Sequence, residues 1–526
     1  MQIAGPAERD DYVKTGWWGD RALHQIVREN ARRDPAGRAL VTADSVTTWA
    51  AYDAWADDIA AVLAGLGLPS GGRVGVQLPD GPGIHAALIG TARAGLVAVG
   101  IGQRAGPRET AHLVAKTGAT AMIVASAPEK AEQDLPAGIT HVISLEAVVD
   151  ARPAGYDHVA PNALGPDQLS MINSTSGTTG LPKCVTQFDN RWFAFTEMAR
   201  RAGRLTSEDV FFGAVPTPFG FGLWTSHYAP AILGVPTVVL PRFDVEAMIR
   251  LIERESVTVL CCVSTQFKML LNSPTATRAD LSSLRVMFTG GEAVPYRGAA
   301  EFERRTGATV LQFYGSNETG ALSNTTLDDP QDRRLRTAGR VIDAMQVRLF
   351  AEDGTDVTST GGPGIPAGRG PLTCGGYFDD DEANAKLYTP DGWMLMGDIV
   401  EIDSEGYLTV VGRTSDVIIR GGKNISAARV EEEIDAHPDV ELCAVVAVPD
   451  QTFGERVCAV VTLRDGANLE LAGLVDFLRN RGTSVEMLPE HLLIIDTLPR
   501  SSGGKLAKKE IREWAERQVA CGRFAP

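Results

Sequence analysis

A run of small hydroxyl and glycine residues is the clearest chemical feature of this sequence. Positions 175–180 hold only Ser, Thr and Gly, and Lys183 follows after Leu181 and Pro182. Glycines let backbone N–H groups approach anionic oxygen closely, successive N–H groups can form an anion-binding nest, and a lysine adds positive charge. The run therefore predicts a loop that binds the phosphate groups of a nucleotide. Its candidate residues are Thr175, Ser176, Gly177, Thr178, Thr179, Gly180 and Lys183.

This loop differs from the P-loop of kinases and GTPases. The P-loop pattern needs a lysine directly after its second glycine and then a Ser or Thr. Here Leu181 and Pro182 intervene, and Cys184 follows the lysine. A flexible Ser/Gly linker is the alternative, but the run lies between apolar residues 169–172 and Val185 rather than between domains.

Further residues suited to nucleotide chemistry recur along the chain. A Gly-Gly-Glu turn follows the apolar segment 286–289, and an acidic residue ends the run 312–318. A carboxylate is the ligand that Mg²⁺ prefers, and an acceptor-only aspartate suits two ribose hydroxyls. The residues in question are Gly290, Gly291, Glu292, Phe313, Tyr314, Gly315, Asn317, Glu318, Asp398, Arg413 and, near the end of the chain, Lys505.

In this order and spacing, these segments resemble the signature of the adenylate-forming superfamily, over essentially the whole chain. The superfamily includes acyl-CoA and aryl-CoA synthetases, adenylation domains of peptide synthetases, and luciferases. The resemblance implies ATP, Mg²⁺ and coenzyme A as cofactors and co-substrates. It also implies a two-step reaction, in which a carboxylic acid is first joined to AMP and a thiol then displaces the AMP.

The resemblance implies a role for each candidate residue. It makes Lys183, Glu318 and Lys505 catalytic, with Glu318 as the metal ligand and Lys505 on a small domain that swings into the site. It places the residues from 290 to 317 around adenine and phosphate, Asp398 and Arg413 on the ribose, and Gly421, Gly422 and Lys423 in the tunnel for the CoA arm. Tight turns or solvated loops remain the alternative explanation for each of these segments.

Several positions depart from the family pattern, and the customary Thr-His-x-Asn is reduced to Phe188-Asp189-Asn190. Asn317 stands where the family usually has Thr, Arg429 stands where it has an acid, and Cys184 stands where it has Gly. Adenylation is the half-reaction that such changes would affect most. A relative that only converts a supplied acyl-AMP to a thioester therefore stays open as an interpretation.

An aromatic segment is the candidate for the acid pocket. Its residues are Phe219, Phe221, Gly222 and Trp224. These side chains favour a bulky apolar, cyclic or aromatic acid. The segment 12–20 also resembles the start of cyclohexanecarboxylate and aryl-acid ligases. A plain role in the core is the alternative, because aromatic residues are mostly buried.

The elements that must position these residues are predicted to form an α/β protein. Apolar runs alternate with helix-like segments from 39 to 124 and again from 210 to 311, which is typical of parallel sheets covered by helices. We expect a large N-terminal body of layered α/β sheets, residues 1–413, and a small, mobile C-terminal α+β domain, residues 414–526. The resemblance puts the hinge near Ser415.

Composition limits the class of protein. The chain has 526 residues and a formal net charge of −16, and its seven cysteines form no CxxC pair. The acidic balance argues against nucleic acid as a partner, and no apolar stretch approaches the ~20 residues that a spanning helix needs. We expect a cytoplasmic enzyme with reduced thiols and no membrane partner.

Three functions are therefore compared. The first is an acyl-CoA ligase that uses ATP, Mg²⁺ and CoA, with a variant in which the thiol belongs to a carrier protein. The second is the thioester-forming relative that accepts acyl-AMP. The third, from another class, is a nucleotide-binding protein without activity, which the presence of Lys183, Glu318, Asp398 and Lys505 disfavours.

Overall fold

The computed structural model describes residues 5–126, 135–148, 163–174, 181–292, 294–413, 417–421, 423–500 and 506–522. Up to residue 413 the strands are β1 Arg38–Val41, β2 Val46–Thr48, β3 Arg73–Gln77, β4 Val97–Gly100, β5 Ala121–Val124, β6 His141–Ser144, β7 Met171–Ser174, β8 Cys184–Gln187, β9 Phe211–Gly213, β10 Thr237–Val239, β11 Val259–Cys261, β12 Val286–Gly290, β13 Thr309–Ser316, β14 Gly320–Asn324, β15 Arg340–Val341, β16 Gln346–Phe350, β17 Ile365–Arg369, β18 Met394–Leu395, β19 Asp398–Ile402 and β20 Leu408–Arg413. The helices are α1 Pro6–Lys14, α2 Leu23–Arg33, α3 Trp49–Gly65, α4 Pro82–Arg93, α5 Pro107–Thr117, α6 Asp189–Gly203, α7 Gly220–Gly222, α8 Ala229–Leu233, α9 Val245–Glu255, α10 Ser264–Asn272, α11 Tyr296–Thr306, α12 Gln331–Arg336 and α13 Asp381–Leu387. A π-helical segment, Leu223–Tyr228, joins α7 to α8.

Two large sheets form the N-terminal body. The first has nine strands in the order β15-β14-β13-β12-β11-β9-β10-β1-β2, and the second has six in the order β6-β5-β3-β4-β7-β8. The central strands of both sheets are parallel, with antiparallel strands only at the edges. Short antiparallel sheets from β16 to β20 complete this body.

The sequence explains why these strands are central. All residues of β4 and β12 are buried, as expected for strands covered by helices on both faces. Helix α9 buries one face, which carries Met248, Ile249 and Ile252, and begins where the Asp244 side chain accepts a hydrogen bond from the Ala247 N–H. One core cluster contains buried residues of both sheets, including Val76 and Phe288, so the two sheets pack into one body.

The C-terminal part has its own sheet and core. Its elements are β21 Val417–Arg420, β22 Lys423–Ser426, α14 Ala427–Ile434, β23 Val440–Asp450, β24 Gly454–Leu463, α15 Leu471–Asn480, β25 His491–Ile494 and α16 Lys508–Ala520. Two core clusters lie entirely within residues 418–515. The predicted α/β body with a small α+β domain is thus confirmed. The boundary after residue 413 stays a prediction, and Ser415 lies outside the described residues.

The seven cysteines all lie among the described residues. All seven are free thiols, and Cys184, Cys261, Cys262, Cys374 and Cys458 are buried. Burial raises the pKa of the Cys184 thiol to about 11, so this residue beside the predicted phosphate loop is protonated at neutral pH. Within the described ranges, no helix is long and apolar enough to cross a membrane.

Candidate nucleotide and acid site

Several of the candidate nucleotide residues follow the carboxyl ends of β7, β12 and β13, and α/β sheets usually bind ligands at such strand ends. Strand β7 leads into 175–180, and Ser174 at its end pairs with Cys184 at the start of β8. The Gly-Gly-Glu turn follows β12, and the turn with Glu318 follows β13. A hydrogen bond of 2.9 Å from the Asn317 amide to the Asn173 side chain joins the β13 turn to β7 across the two sheets.

Two glycines of the predicted adenine turn have different structural requirements. A Cβ at Gly290 would lie 2.5 Å from the Phe313 carbonyl oxygen, so close packing of β12 on β13 excludes any side chain. Gly291 has a φ of 78°, which favours glycine. The turn thus meets β13 where Phe313, Tyr314 and Gly315 lie.

Tyr314 and Asp398 form one polar unit. The Tyr314 hydroxyl donates a hydrogen bond of 2.8 Å to Oδ2 of Asp398, whose side chain is buried. Asp398 begins β19 and pairs directly with Arg413 in the antiparallel β19–β20 ladder. This register is the structural reason for the fixed interval between the two predicted ribose residues.

Glu318 is held by a tyrosine that the sequence analysis missed. The Tyr377 hydroxyl donates a hydrogen bond of 2.6 Å to Glu318 Oε1. The Lys183 ammonium lies 4.6 Å from the centre of the Tyr377 ring. Burial and the neighbouring Glu318 carboxylate raise the pKa of Tyr377 above its ordinary value, so the hydroxyl stays protonated and donates. One tyrosine therefore brings together two predicted catalytic residues.

Asn317 belongs to a buried polar cluster. The Gln187 amide also donates to Asn173 Oδ1, at 2.9 Å. The Arg191 guanidinium donates to the Asn317 carbonyl at 2.8 Å and also contacts the Gln187 side-chain oxygen. The amide at position 317 thus has specific partners on β7 and in the β8–α6 segment.

The small domain reaches the adenine turn. The Thr265 backbone N–H donates to Glu292 Oε1 at 3.1 Å, and Arg500 of the small domain donates to the Thr265 hydroxyl at 2.9 Å. Burial lowers the pKa of Arg500, and Glu292 opposes that shift. Arg500, which precedes residues 501–505, therefore contacts the N-terminal body at helix α10, whose Thr265 in turn contacts the adenine turn.

The predicted acid pocket is an aromatic cluster. The ring of Phe221 contacts the rings of Phe313 and Trp224 at centroid distances of 4.9 and 5.9 Å. Trp224 is only 1% exposed and stacks into the core, whereas Phe219 and Phe221 are partly exposed. A Cβ at Gly222 would lie 2.1 Å from the Pro216 carbonyl oxygen, so this glycine serves close packing. Phe219 and Phe221 are thus the better candidates to contact an acid.

The remaining predicted residues are not joined to this site by described contacts. Gly421 and Lys423 lie on the exposed β21–β22 hairpin, where the Gly421 N–H donates to Phe453 and Lys423 pairs with Glu486. Residues 175–180, Gly422 and Lys505 lie outside the described residues, as does the side chain of Arg413. Arg429 is exposed in the first turn of α14.

Two functional candidates escaped the sequence analysis, Tyr377 and Arg191. Tyr377 carries no local signal, because its partner Glu318 is 59 positions away. Arg191 does carry one, since it precedes Phe195 and Ala199 at helical spacing on a buried face of α6. An arginine among apolar positions of one helix face indicates a charge with a specific task.

The donors and acceptors fit a nucleotide and a divalent cation. Glu318 offers carboxylate oxygen, Lys183 offers a positive charge, and the Tyr314–Asp398 unit offers both a ring and a carboxylate. Carboxylate oxygen is the donor type that Mg²⁺ accepts. The described residues form no site of three or more metal-ligating side chains, so any Mg²⁺ would take further ligands from the nucleotide and water.

Family models agree with this geometry. Residues 27–378 match the model of AMP-binding enzymes, and residues 429–505 match the model of the AMP-binding enzyme C-terminal domain. The first match covers more than half of the chain. The chain therefore belongs to the family of AMP-binding enzymes.

Individual relatives cover nearly the whole chain. A medium-chain fatty-acid–CoA ligase of Escherichia coli is 30% identical over 96% of this chain and 92% of its own length. A salicyl-AMP ligase / salicyl-S-ArCP synthetase of Mycobacterium tuberculosis is 31% identical, covering 96% and 93%. A 2-hydroxy-7-methoxy-5-methyl-1-naphthoate–CoA ligase of Streptomyces carzinostaticus is also 31% identical, covering 96% and 95%. The crystal structure of ATP-bound MatB from Rhodopseudomonas palustris superimposes with a TM-score of 0.83 at 26% identity, covering 95% of this chain and 99% of that one.

Proposed function

We propose that this enzyme is an ATP-dependent, AMP-forming ligase that converts a bulky cyclic or aromatic carboxylic acid to its CoA thioester through acyl-AMP. The observation that carries the proposal is the convergence of three groups at the strand ends. These are the Glu318–Tyr377 pair with Lys183, the Tyr314–Asp398 unit, and the aromatic rings of Phe221 and Phe313. ATP and CoA as substrates favour a cytoplasmic location.

Each of these residues has a separate role in the first step, adenylation of the acid. The acid's carboxylate oxygen attacks the α-phosphorus of ATP, and the bond to the β-phosphate oxygen breaks, so that pyrophosphate leaves. Lys183 supplies positive charge near the phosphates, and Tyr377 keeps the Glu318 carboxylate in place. Mg²⁺, when bound at Glu318, neutralises charge on the phosphate oxygens. Tyr314 and Asp398 hold the adenosine so that the phosphate stays aligned.

The small domain serves both steps. Arg500 at Thr265 holds the small domain against helix α10 in the present orientation, and the resemblance assigns Lys505 to the adenylation step. In the second step a thiolate sulfur attacks the acyl carbon, and the bond to the phosphate oxygen of AMP breaks. We place Gly421, Gly422 and Lys423 along the CoA arm after the small domain has rotated about Ser415, because the described contacts of Gly421 and Lys423 lie within the small domain in the present orientation.

The partners of Asn317 favour a complete two-step enzyme over a relative that only uses acyl-AMP. An amide that is anchored to Asn173 does not by itself disable the phosphate site. A carrier protein is the second candidate for the thiol partner, because the relative from M. tuberculosis is named a salicyl-S-ArCP synthetase.

A panel of acids tests the proposal. Salicylate, a naphthoate, cyclohexanecarboxylate and a medium-chain fatty acid are assayed separately for acid-dependent ATP–pyrophosphate exchange, for CoA-thioester formation, and for loading of a phosphopantetheine-bearing carrier protein. We expect exchange and CoA-thioester formation with a ring acid. Exchange only with the fatty acid would overturn the aromatic substrate class. Thioester formation from synthetic acyl-AMP without exchange by any acid would overturn adenylation.

A further inference from the structure

Arg191 in helix α6 is a buried cation with neutral partners. Its side chain has 0% exposure. Its Nε donates to the Leu372 carbonyl at 2.6 Å, its Nη2 donates to the Asn317 carbonyl at 2.8 Å, and its Nη1 contacts Gln187 Oε1. Among the residues that the structure describes, no carboxylate forms an ion pair with it. The hydrogen-bond partners of Arg191 are thus neutral, and the Glu318 carboxylate acts on the cation only from beyond ion-pair distance.

Such an arrangement is costly to a fold. Removing a charge from water carries a large penalty unless an opposite charge compensates it. Burial lowers the pKa of Arg191 to about 10, which still leaves it cationic at neutral pH. The rings of Trp192 and Phe195, at 4.9 and 5.7 Å from the guanidinium carbon, offset only part of this penalty. A buried charge that is retained at such cost indicates a role in binding.

The partners of Arg191 lead directly to the phosphate site. Gln187 ends β8, which begins just after Lys183. Asn317 immediately precedes Glu318 in the turn after β13. The amides of Gln187 and Asn317 both donate to Asn173 Oδ1, and Asn173 is the penultimate residue of β7, before positions 175–180. One network therefore joins the three segments that carry the predicted phosphate and metal residues.

We propose that Arg191 is a positioning residue whose charge, without an ion pair among the described residues, is balanced by the phosphate groups of the bound nucleotide. It acts through Gln187 and Asn317 and does not itself touch the nucleotide. Its hydrogen bonds fix the peptide before Glu318, and its field favours a polyphosphate over an uncharged nucleoside. The inference rests on the proposed function, because that function makes ATP the ligand.

The variant Gln187→Glu tests the charge directly. The glutamate side chain has nearly the same shape as the glutamine. It places a carboxylate against the Arg191 guanidinium, so the positive charge is neutralised without moving Arg191. The measured quantity is the ratio of the dissociation constants for Mg·ATP and for adenosine, by calorimetry. We expect ATP binding to weaken about tenfold relative to adenosine binding. Gln187→Leu is the comparison variant, because it removes the same acceptor and the amide donor to Asn173 while the cation remains, so its ratio should fall less than that of Gln187→Glu.

Two Arg191 variants separate charge from position. Arg191→Lys keeps the charge but not the planar fork, so the binding ratio should stay while pyrophosphate exchange slows. Arg191→Gln should lower the ratio as Gln187→Glu does. If Arg191→Gln fails to fold, Gln187→Glu still decides the matter.

The outcomes distinguish this inference from the proposed function. An unchanged ratio in Gln187→Glu, beside a wild-type protein that binds ATP, overturns the inference alone and leaves Arg191 a structural residue. A wild-type protein that uses acyl-AMP but does not bind ATP overturns both. That failure is visible without any variant.

Discussion

The pairing of Tyr314 with Asp398 gives two predicted ligand contacts a shared geometry. The 2.8 Å hydrogen bond that Tyr314 donates to the buried carboxylate fixes the position of the hydroxyl end of the ring. The same bond orients the carboxylate that the family resemblance assigns to the ribose. The proposed roles of these residues in adenine and ribose recognition are therefore coupled, and we expect loss of either side chain to affect the other.

We expect Asp398→Ala to weaken nucleotide binding in both half-reactions, because the ribose is common to ATP and acyl-AMP. The loss should be roughly 2–4 kcal/mol in binding of a non-hydrolysable acyl-AMP analogue, since a charge-assisted hydrogen-bond pair is removed. Tyr314→Phe should cost less, because the ring remains. Tyr407→Phe is the control, since this tyrosine bonds to Asp329 outside the site. Unchanged affinity in Asp398→Ala would remove Asp398 from the site.

Residue types in recognisable segments could be assigned from sequence, but their partners could not. Glu318 and Lys183 stand out by their surroundings in the chain. Tyr377 and Arg191 act through contacts with residues that are far away in sequence, and such contacts exist only after the sheets have packed. Asn317 is a further example. From sequence it is only a departure from the family pattern, but in the structure its side chain has a hydrogen-bond partner.

At the scale of elements, a loop-to-loop contact joins the two large sheets beside the acid segment. Asp80 follows β3 of the six-stranded sheet, and its Oδ1 accepts a hydrogen bond of 2.8 Å from the Thr217 N–H, which follows β9 of the nine-stranded sheet. Burial raises the pKa of the Asp80 carboxyl to about 6, although the hydrogen bonds from Thr217 act in the opposite direction. The contact is thus maintained at the cost of a charge that is poorly solvated at neutral pH.

This carboxyl predicts a specific pH dependence of stability. Because its folded pKa lies above the unfolded value of about 3.9, the folded state binds more protons between the two values, and its stabilising effect is lost as pH rises through about 6. Asp80→Asn keeps the acceptor and lacks the charge. We expect it to gain stability over the wild type, on the order of 2 kcal/mol, between pH 4 and pH 7.5 in urea unfolding. A difference that is constant with pH would contradict this explanation.

Regular strands could be predicted from the sequence, whereas an irregular element such as the π-helical turn could not. The apolar runs predicted within 39–124 and 210–311 include strands such as β3 and β10, because burial on both faces leaves a continuous apolar run. The π-helical turn at Leu223–Tyr228 had no sequence signal, since its wider turn depends on how Trp224 stacks among distant rings.

At the scale of the whole molecule, polar contacts hold the small domain on α10. Lys268 pairs with Asp435 at the end of α14, Arg464 donates to the Asn272 side chain at 2.8 Å, and Arg500 donates to Thr265. The Lys268 and Asp435 side chains are only 16% and 14% exposed. Contacts of this kind fix one orientation but can be exchanged for water when the domain rotates. Sequence could not predict them, because both partners are ordinary surface residue types.

We expect Lys268→Ala to lower pyrophosphate exchange about threefold to tenfold and to spare thioester formation from synthetic acyl-AMP. The reason is that this ion pair stabilises only the orientation in which Arg500 meets the adenine turn. Arg481→Ala is the matched control, because its partner Glu433 lies in the same domain, and it should leave both rates unchanged. Equal loss of both half-reactions in Lys268→Ala would contradict an orientation-specific role.

The burial of the thiols has a practical consequence for watching this enzyme work. Of the seven cysteines only Cys521 is exposed, and it lies just after the last helix of the small domain. Thiol-reactive dyes need an accessible thiolate, and burial keeps the pKa of thiols such as Cys184 and Cys458 high. A maleimide fluorophore should therefore attach to the wild-type chain at a single place, on the part expected to rotate. The natural sequence thus supplies its own labelling site for time-resolved fluorescence during turnover.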